Sequence, residues 1–176
     1  MEIKELESDI LKAIKESTLD VFSTMIMMDV KAEESRIVHE KTISTDIISS
    51  LHYFGEKYMG KIALFSSGSV ACRLAEAMIG TKVNQVNEEV KDCMGEIINM
   101  VAGGVKTRLE SRMGFLSLLT PWVISGKNIT VASPKDDDES NLSIDSHANF
   151  SWIMTKFTLS SGHFTVGMQP NQVPQK

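Results

Sequence analysis

The chain reads as an α+β domain in which helices pack on one face of an antiparallel sheet. Three observations predict this. A long amphipathic run opens the sequence, two β-rich runs broken by glycines follow it, and a pair of helical segments leads into a closing series of strand patterns.

Residues 2 to about 28 read as the first helix. Ile3, Leu6, Ile10, Ile14, Val21 and Met25 recur at helical spacing with Lys and Glu between them, and no proline or glycine interrupts. The polar stretch Lys31 to Ser35 predicts a turn, and 36–44 holds too few apolar residues to assign. Ile47 to Phe54 and Tyr58 to Phe65 are β-rich and predict a hairpin turning around Gly55 and Gly60. Ser66-Ser67-Gly68-Ser69 offers N-caps for a helix over Val70–Ile79, and Gly80 stands where a left-handed C-terminal cap belongs. Asn87 is the N-cap expected for the next helix, with Glu88 and Glu89 complementing its dipole, and the helix runs to about Arg112, before Gly114. Strand patterns follow at 115–119, 121–125, 129–132, 150–159 and 163–169, with Ser160-Ser161-Gly162 as a turn. Residues 1–170 form a single domain on this reading. The proline-bearing end, 171–176, is expected to fray.

Composition narrows the function. A chain of 176 residues, 42% hydrophobic and 23% charged, builds its own core and is not disordered. Its 18 basic and 23 acidic residues form no basic stripe, which argues against nucleic acid. No apolar run approaches the roughly 20 residues of a membrane span. The opening Met-Glu-Ile-Lys-Glu is no signal peptide, so a cytoplasmic protein is expected. Cys72 and Cys93 fall among apolar residues and read as reduced core thiols. His39, His52, His147 and His163 lack metal-ligand spacing, so no metal is expected on this chain alone. The run Lys135 to Glu139 lacks a calcium-loop glycine and reads as a solvated loop. Met25 to Met28 reads as core.

The segment from Val90 to Arg108 carries the functional argument. At 100° per residue Val90, Met94, Ile97, Val101 and Val105 form one apolar stripe, flanked by Ile98 and Met100. Asp92, Glu96, Asn99 and Gly103 fall together on the other side, so a carboxylate and an amide project from adjacent turns. Gly103 leaves that stripe open to another molecule's backbone, and Gly104 suits close packing at the core edge. Glycines at 95, 103 and 104 each cost the helix about 1 kcal/mol relative to alanine when exposed, which points to close contacts. The chemistry that fits is phosphoryl hydrolysis, in which positioning dominates. A carboxamide has both donor and acceptor for a water, and a neighbouring carboxylate can anchor a partner's lysine. The same face is also what any solvated amphipathic helix shows, and a small-molecule sensor is a further alternative.

The string Asp92-Cys93-Met94-Gly95-Glu96-Ile97-Ile98-Asn99 resembles the Asp/Ser-x-x-x-Glu-x-x-Asn motif of the CheC, CheX and FliY chemotaxis phosphatases. Met100-Val101-Ala102-Gly103-Gly104, the run Gly60-Lys61-Ile62-Ala63-Leu64-Phe65-Ser66-Ser67, Gly114-Phe115 and Thr120-Pro121 resemble further landmarks. The resemblance spans most of residues 1–170, and only the motif is specific. CheC-type members carry a second copy on the first helix; this chain has none there, which favours the single-site CheX type. The resemblance implies a two-layer fold with internal pseudo-symmetry, a homodimer, and hydrolysis of the aspartyl phosphate of a CheY-type response regulator. It implies that Asn99 positions the water, Glu96 pairs with the regulator's lysine, and Asp92 and Gly103 serve docking. The Mg²⁺ would sit in the regulator. A non-catalytic binding module of the same fold is the alternative.

Overall fold

A computed structural model of the chain describes residues 2–38, 42–132 and 151–173. Helix α1 spans Glu2–Val21 and relaxes into a π-helical turn, Phe22–Ile26, that ends where Met27 adopts a left-handed conformation (φ 57°). Strand β1 follows at Lys31–Val38, then the hairpin β2 (Thr42–Gly55) and β3 (Tyr58–Ser66). Helix α2 (Gly68–Ile79) is capped by Ser67, whose side chain accepts from the Val70 N–H, and closes on Gly80 at φ 72°. Helix α3 (Glu88–Met113) is capped by Asn87 in the same way and ends on Gly114, at φ 77°. Strands β4 (Leu116–Leu118), β5 (Trp122–Ala132), β6 (Trp152–Leu159) and β7 (Gly162–Gln172) complete the order.

The strands make one antiparallel seven-stranded sheet in the order β1-β6-β7-β3-β2-β4, with β5 also paired to β2. Alternation gives the sheet two faces. One carries Ile47, Leu51, Tyr53, Ile62, Leu64, Phe157, Phe164, Val166 and Met168 and is covered by α1, α2 and α3 in a single core. Among the described residues, the other holds a small cluster of Val38, Ile48, Ala63, Phe65 and Met154, to which no helix contributes. Both cysteines are buried and free, and burial pushes their thiols above the ordinary value.

Two contacts seat the helices. The Asp46 carboxylate accepts from the Gly68 N–H at the start of α2 and from the Asn128 N–H in β5, both at 3.1 Å. Those two bonds hold its pKa below the usual 3.8. At the α1–α3 crossing, a Cβ at Gly104 would lie 2.9 Å from Ser17 Cβ and Oγ, so glycine is what lets the helices meet. Around this point Arg108 pairs with Glu16 and Asp20, and Arg112 with Asp9.

The fold agrees with the expected α+β architecture, and several local expectations need correction. Residues 31–35 are not a turn: they belong to β1, which among the described residues is an edge strand paired with β6. Its charged residues suit an exposed edge and hid it from a hydrophobicity pattern. The helical run ends at Ile26, its last turn π rather than α, and Met25 and Met27 are 64% and 83% exposed, so they are not core. Gly60 lies inside β3 and only Gly55 stands at the hairpin turn. The two strands expected over 121–132 are one, irregular at Gly126–Asn128, where Asn128 takes φ 51°. The expected frayed end, 171–176, is ordered at its start: Asn171 and Gln172 pair with Met59 and Tyr58 in β3. The acidic run Lys135–Glu139 lies outside the described residues, as do His39 and His147.

Candidate functional site on the exposed face of α3

Helix α3 is 26 residues, about 39 Å long at 1.5 Å per residue. Its buried stripe is the one the periodicity predicts: Val90, Met94, Ile97, Ile98, Val101 and Val105 are all completely inaccessible. That stripe packs on the sheet and leaves the opposite side to solvent. Asp92, Glu96 and Asn99 are exposed there, and Gly103 is half-buried. The structure therefore brings all four sequence-predicted residues onto one face, in two ridges of sevenfold spacing: 92 with 99, and 96 with 103.

Among the described residues, nothing of the chain engages the polar side chains of this face: no hydrogen bond or ion pair reaches those of Asp92, Glu96 or Asn99. A Cβ at Gly103 would meet nothing within 4 Å, so the space beyond it is open. Gly95 is buried beside Pro121 and Val123, which brace the helix next to Glu96 and Asn99 from the β5 side. Such bracing matters because orientation is lost quickly when a positioning group can wander. Glu96 and Asn99 present a carboxylate and a carboxamide one turn apart, which can bind a cation and orient a water on the same approaching molecule.

The site is a convex helix face, not a cavity. A cleft of about 590 Å³ lies elsewhere, where β2 and β7 begin, lined by Arg36, Asp46 and His163 among others and by none of the four site residues. A convex face suits a macromolecular partner better than a small molecule, which needs enclosure. Among the described residues, no three His, Cys, Asp or Glu side chains gather as a metal site. No described helix is long and apolar enough to cross a membrane.

Two residues beside this face were given no functional role in the sequence reading, though Gly114-Phe115 was noted there as a landmark. Lys106 continues the ridge of Asp92 and Asn99 by a further seven residues, and its Nζ lies 4.7 Å from the centroid of the Phe115 ring. The sevenfold spacing was a signal for Lys106. Nothing in the sequence marked Phe115 as its partner, because the contact depends on the chain turning back after Gly114.

Three helices on one face of an antiparallel sheet, with Asp-x-x-x-Glu-x-x-Asn along the exposed side of the longest, define a domain of the CheC-like class. Within that class the chain belongs to the family Chemotaxis phosphatase CheX, whose model matches residues 48–145, more than half of the chain. The match runs from β2 through α3 and β5. Solved structures agree. CheX from Vibrio vulnificus is 25% identical, with a TM-score of 0.74, over 92% of this chain and 99% of that one. A CheC-like superfamily protein from Shewanella sp. PV-4 is 24% identical, with a TM-score of 0.76, over 93% and 97%. CheX from Borrelia burgdorferi, solved as a CheX–CheY–BeF₃–Mg²⁺ complex, is 14% identical, with a TM-score of 0.67, over 91% and 96%. No curated protein matches the sequence.

Proposed function

We propose that this protein hydrolyses the aspartyl phosphate of a CheY-type response regulator in the cytoplasm, in chemotaxis or related two-component signalling. The observation that carries the reading is the exposed, unpartnered pair of Glu96 and Asn99, one turn apart on a braced helix, in a chain of the CheX family. The CheX–CheY complex among its structural neighbours supports a regulator of that type as partner.

On this reading α3 lies against the regulator's phosphorylated site. Glu96 accepts a charge-assisted hydrogen bond from the regulator's active-site lysine and fixes the register of docking. The Asn99 carboxamide holds a water in line with the phosphorus, its oxygen accepting from the water. Attack forms the new P–O bond as the bond to the aspartyl oxygen breaks. The aspartate leaves as a carboxylate, and both water protons end on the released phosphate. Mg²⁺ bound by the regulator neutralises charge on the phosphoryl oxygens; this chain supplies only position and hydrogen bonds. Asp92 and Gly103 border the contact, one with a charge and the other with room for backbone approach.

The test is phosphate release from a phosphorylated CheY-type regulator with Mg²⁺. Wild type is expected to accelerate it over the regulator alone. Glu96→Ala should lose about tenfold or more in kcat/KM, since a charged pair at the contact is broken. Measurable docking with no acceleration by wild type would leave a non-catalytic binding module in place of a phosphatase.

Homodimerisation is part of the same proposal. Phe54, Met59, Trp122 and Ile124 are 50%, 46%, 38% and 45% exposed, and strand pairing puts all four on the sheet face that no helix covers. Exposed apolar side chains gathered on one sheet face favour an interaction site there. Pairing two copies there leaves both α3 faces free for regulators. Sedimentation should give a dimer for wild type and a monomer for the double variant Trp122→Glu, Ile124→Glu. An unchanged dimer in that variant places the interface elsewhere.

A further inference from the structure

Helix α3 carries four cations after Val90, and three are neutralised. Lys91 Nζ lies 2.6 Å from Glu88, Arg112 Nε lies 2.7 Å from Asp9, and Arg108 pairs with both Glu16 and Asp20. Lys106 differs. Among the described residues it has no carboxylate partner, and its ammonium rests over the Phe115 ring instead. An ammonium over a ring keeps its full charge and its capacity to pair, while the aromatic limits where it can go.

Phe115 is held for this from behind. The C-terminal cap at Gly114 reverses the chain, and the strand that follows returns beside the helix. A Cβ at Gly55 would come within 2.5 Å of the Phe115 carbonyl oxygen, so the backbone there is packed directly on β2. The ring itself is left 65% exposed. A fixed backbone thus carries an exposed aromatic under a cation that, unlike the other three of this helix, has no carboxylate partner among the described residues.

Position gives the pair its meaning. Lys106 follows Asn99 by seven residues, which is about 10.5 Å along the axis and within about 20° of the same ridge. Gly103 lies between them with no side chain, and among the described residues nothing comes within 4 Å of where its Cβ would stand. Any partner that covers Asn99 and lies along Gly103 reaches Lys106. The face is also uneven in sign: Asp92 and Glu96 stand to one side of Asn99, and Lys106, followed one turn later by exposed Glu110, to the other. A partner offering a cation to Glu96 and an anion to Lys106 fits in one orientation, and turned end for end it would meet like charges.

We infer that Lys106, steadied by Phe115, is a second anchor for the regulator. It binds a carboxylate on the regulator's surface about two helical turns from the phosphoaspartate and thereby sets which way round the regulator docks. This rests on the regulator reading given above. Lys106 is a positioning residue: it is too far along the ridge to share the water held by Asn99.

The experiment titrates a CheY-type regulator, loaded with beryllofluoride and Mg²⁺, with wild type and with Lys106→Ala, Lys106→Arg and Lys106→Glu. The same proteins are then assayed for phosphate release. Kd should rise about threefold in Lys106→Ala and about tenfold in Lys106→Glu and stay near wild type in Lys106→Arg, and the differences should shrink as salt is raised. The kcat at saturating regulator and the Tm should not move. Phe115→Ala should weaken binding less than Lys106→Glu, and add nothing to it in the double variant. Lys106→Glu binding like wild type overturns the anchor even if hydrolysis is normal, and so does a fall in kcat at unchanged Kd. Weakened binding by Lys106→Glu with no hydrolysis by wild type keeps the anchor and removes the phosphatase. Absence of binding by wild type removes both.

Discussion

Asn99→Ala is expected to lower regulator dephosphorylation by about 10²–10⁴-fold, equivalent to roughly 3–5 kcal/mol of transition-state stabilisation. The loss should fall on kcat, with docking nearly unchanged. On the proposed mechanism Glu96, Gly103 and Lys106 would still hold the regulator, while the removed amide would have acted only on the attacking water. Stability gives an independent control. Asn99 is exposed and bonded to nothing among the described residues, and alanine is the better helix former by a few tenths of a kcal/mol. The Tm should therefore stay level or rise slightly. A structural role for Asn99 predicts the reverse, with lower Tm and retained turnover in the folded fraction. Normal turnover by the variant would remove the amide from the mechanism.

What could be read from sequence follows from how strongly each element depends on local pattern. α3 was legible almost to the residue, because its buried stripe repeats over five turns and both ends carry caps in the preferred chemistry, Asn87 and Gly114. The shared face of Asp92, Glu96, Asn99 and Gly103 was legible for the same reason: fixing the core stripe fixes its opposite. β1 was not legible. Seven of its eight residues are outside the buried class, and it exists because β6 offers an unpaired edge, a fact of tertiary structure that no window of sequence contains. Met25 failed differently. It keeps the helical spacing of the α1 core, but the backbone widens into a π turn at Phe22 and turns it out to solvent. Lys106 lay on a readable ridge, yet its partner Phe115 sits past a chain reversal, so the pair existed only once the fold did.

The most damaging single-atom change expected in the fold is a methyl group at Gly60, and the same change at Gly103 should have the opposite sign. Gly60 is buried in β3 directly opposite Tyr53 of β2. The tyrosine side chain extends over the gap that the missing side chain leaves, and its hydroxyl donates to the Gln169 carbonyl of β7 at 3.3 Å. One side chain thus ties three adjacent strands, and burial raises its pKa so that the hydroxyl stays a donor. A Cβ at Gly60 would fall 1.8 Å from the Gln169 oxygen and 2.9 Å from the Tyr53 hydroxyl. The first of these is backbone in a paired strand and cannot swing aside. Gly60→Ala must open the β3–β7 ladder or expel Tyr53, so a loss of about 4 kcal/mol or more is expected, at the top of the range for one substitution. Gly103 has open space where its Cβ would go, so Gly103→Ala should gain up to about 1 kcal/mol from helix propensity and a less flexible unfolded chain. That gain should come with weaker regulator binding, because on the proposed docking the methyl would stand where the partner's backbone approaches between Asn99 and Lys106. Urea titration of the two variants, with a binding curve for Gly103→Ala, tests both halves. Gly60→Ala within about 1 kcal/mol of wild type would show that the ladder yields there at little cost. Gly103→Ala that is stabilised and binds as tightly as wild type would mean that the regulator does not cross the helix at that point.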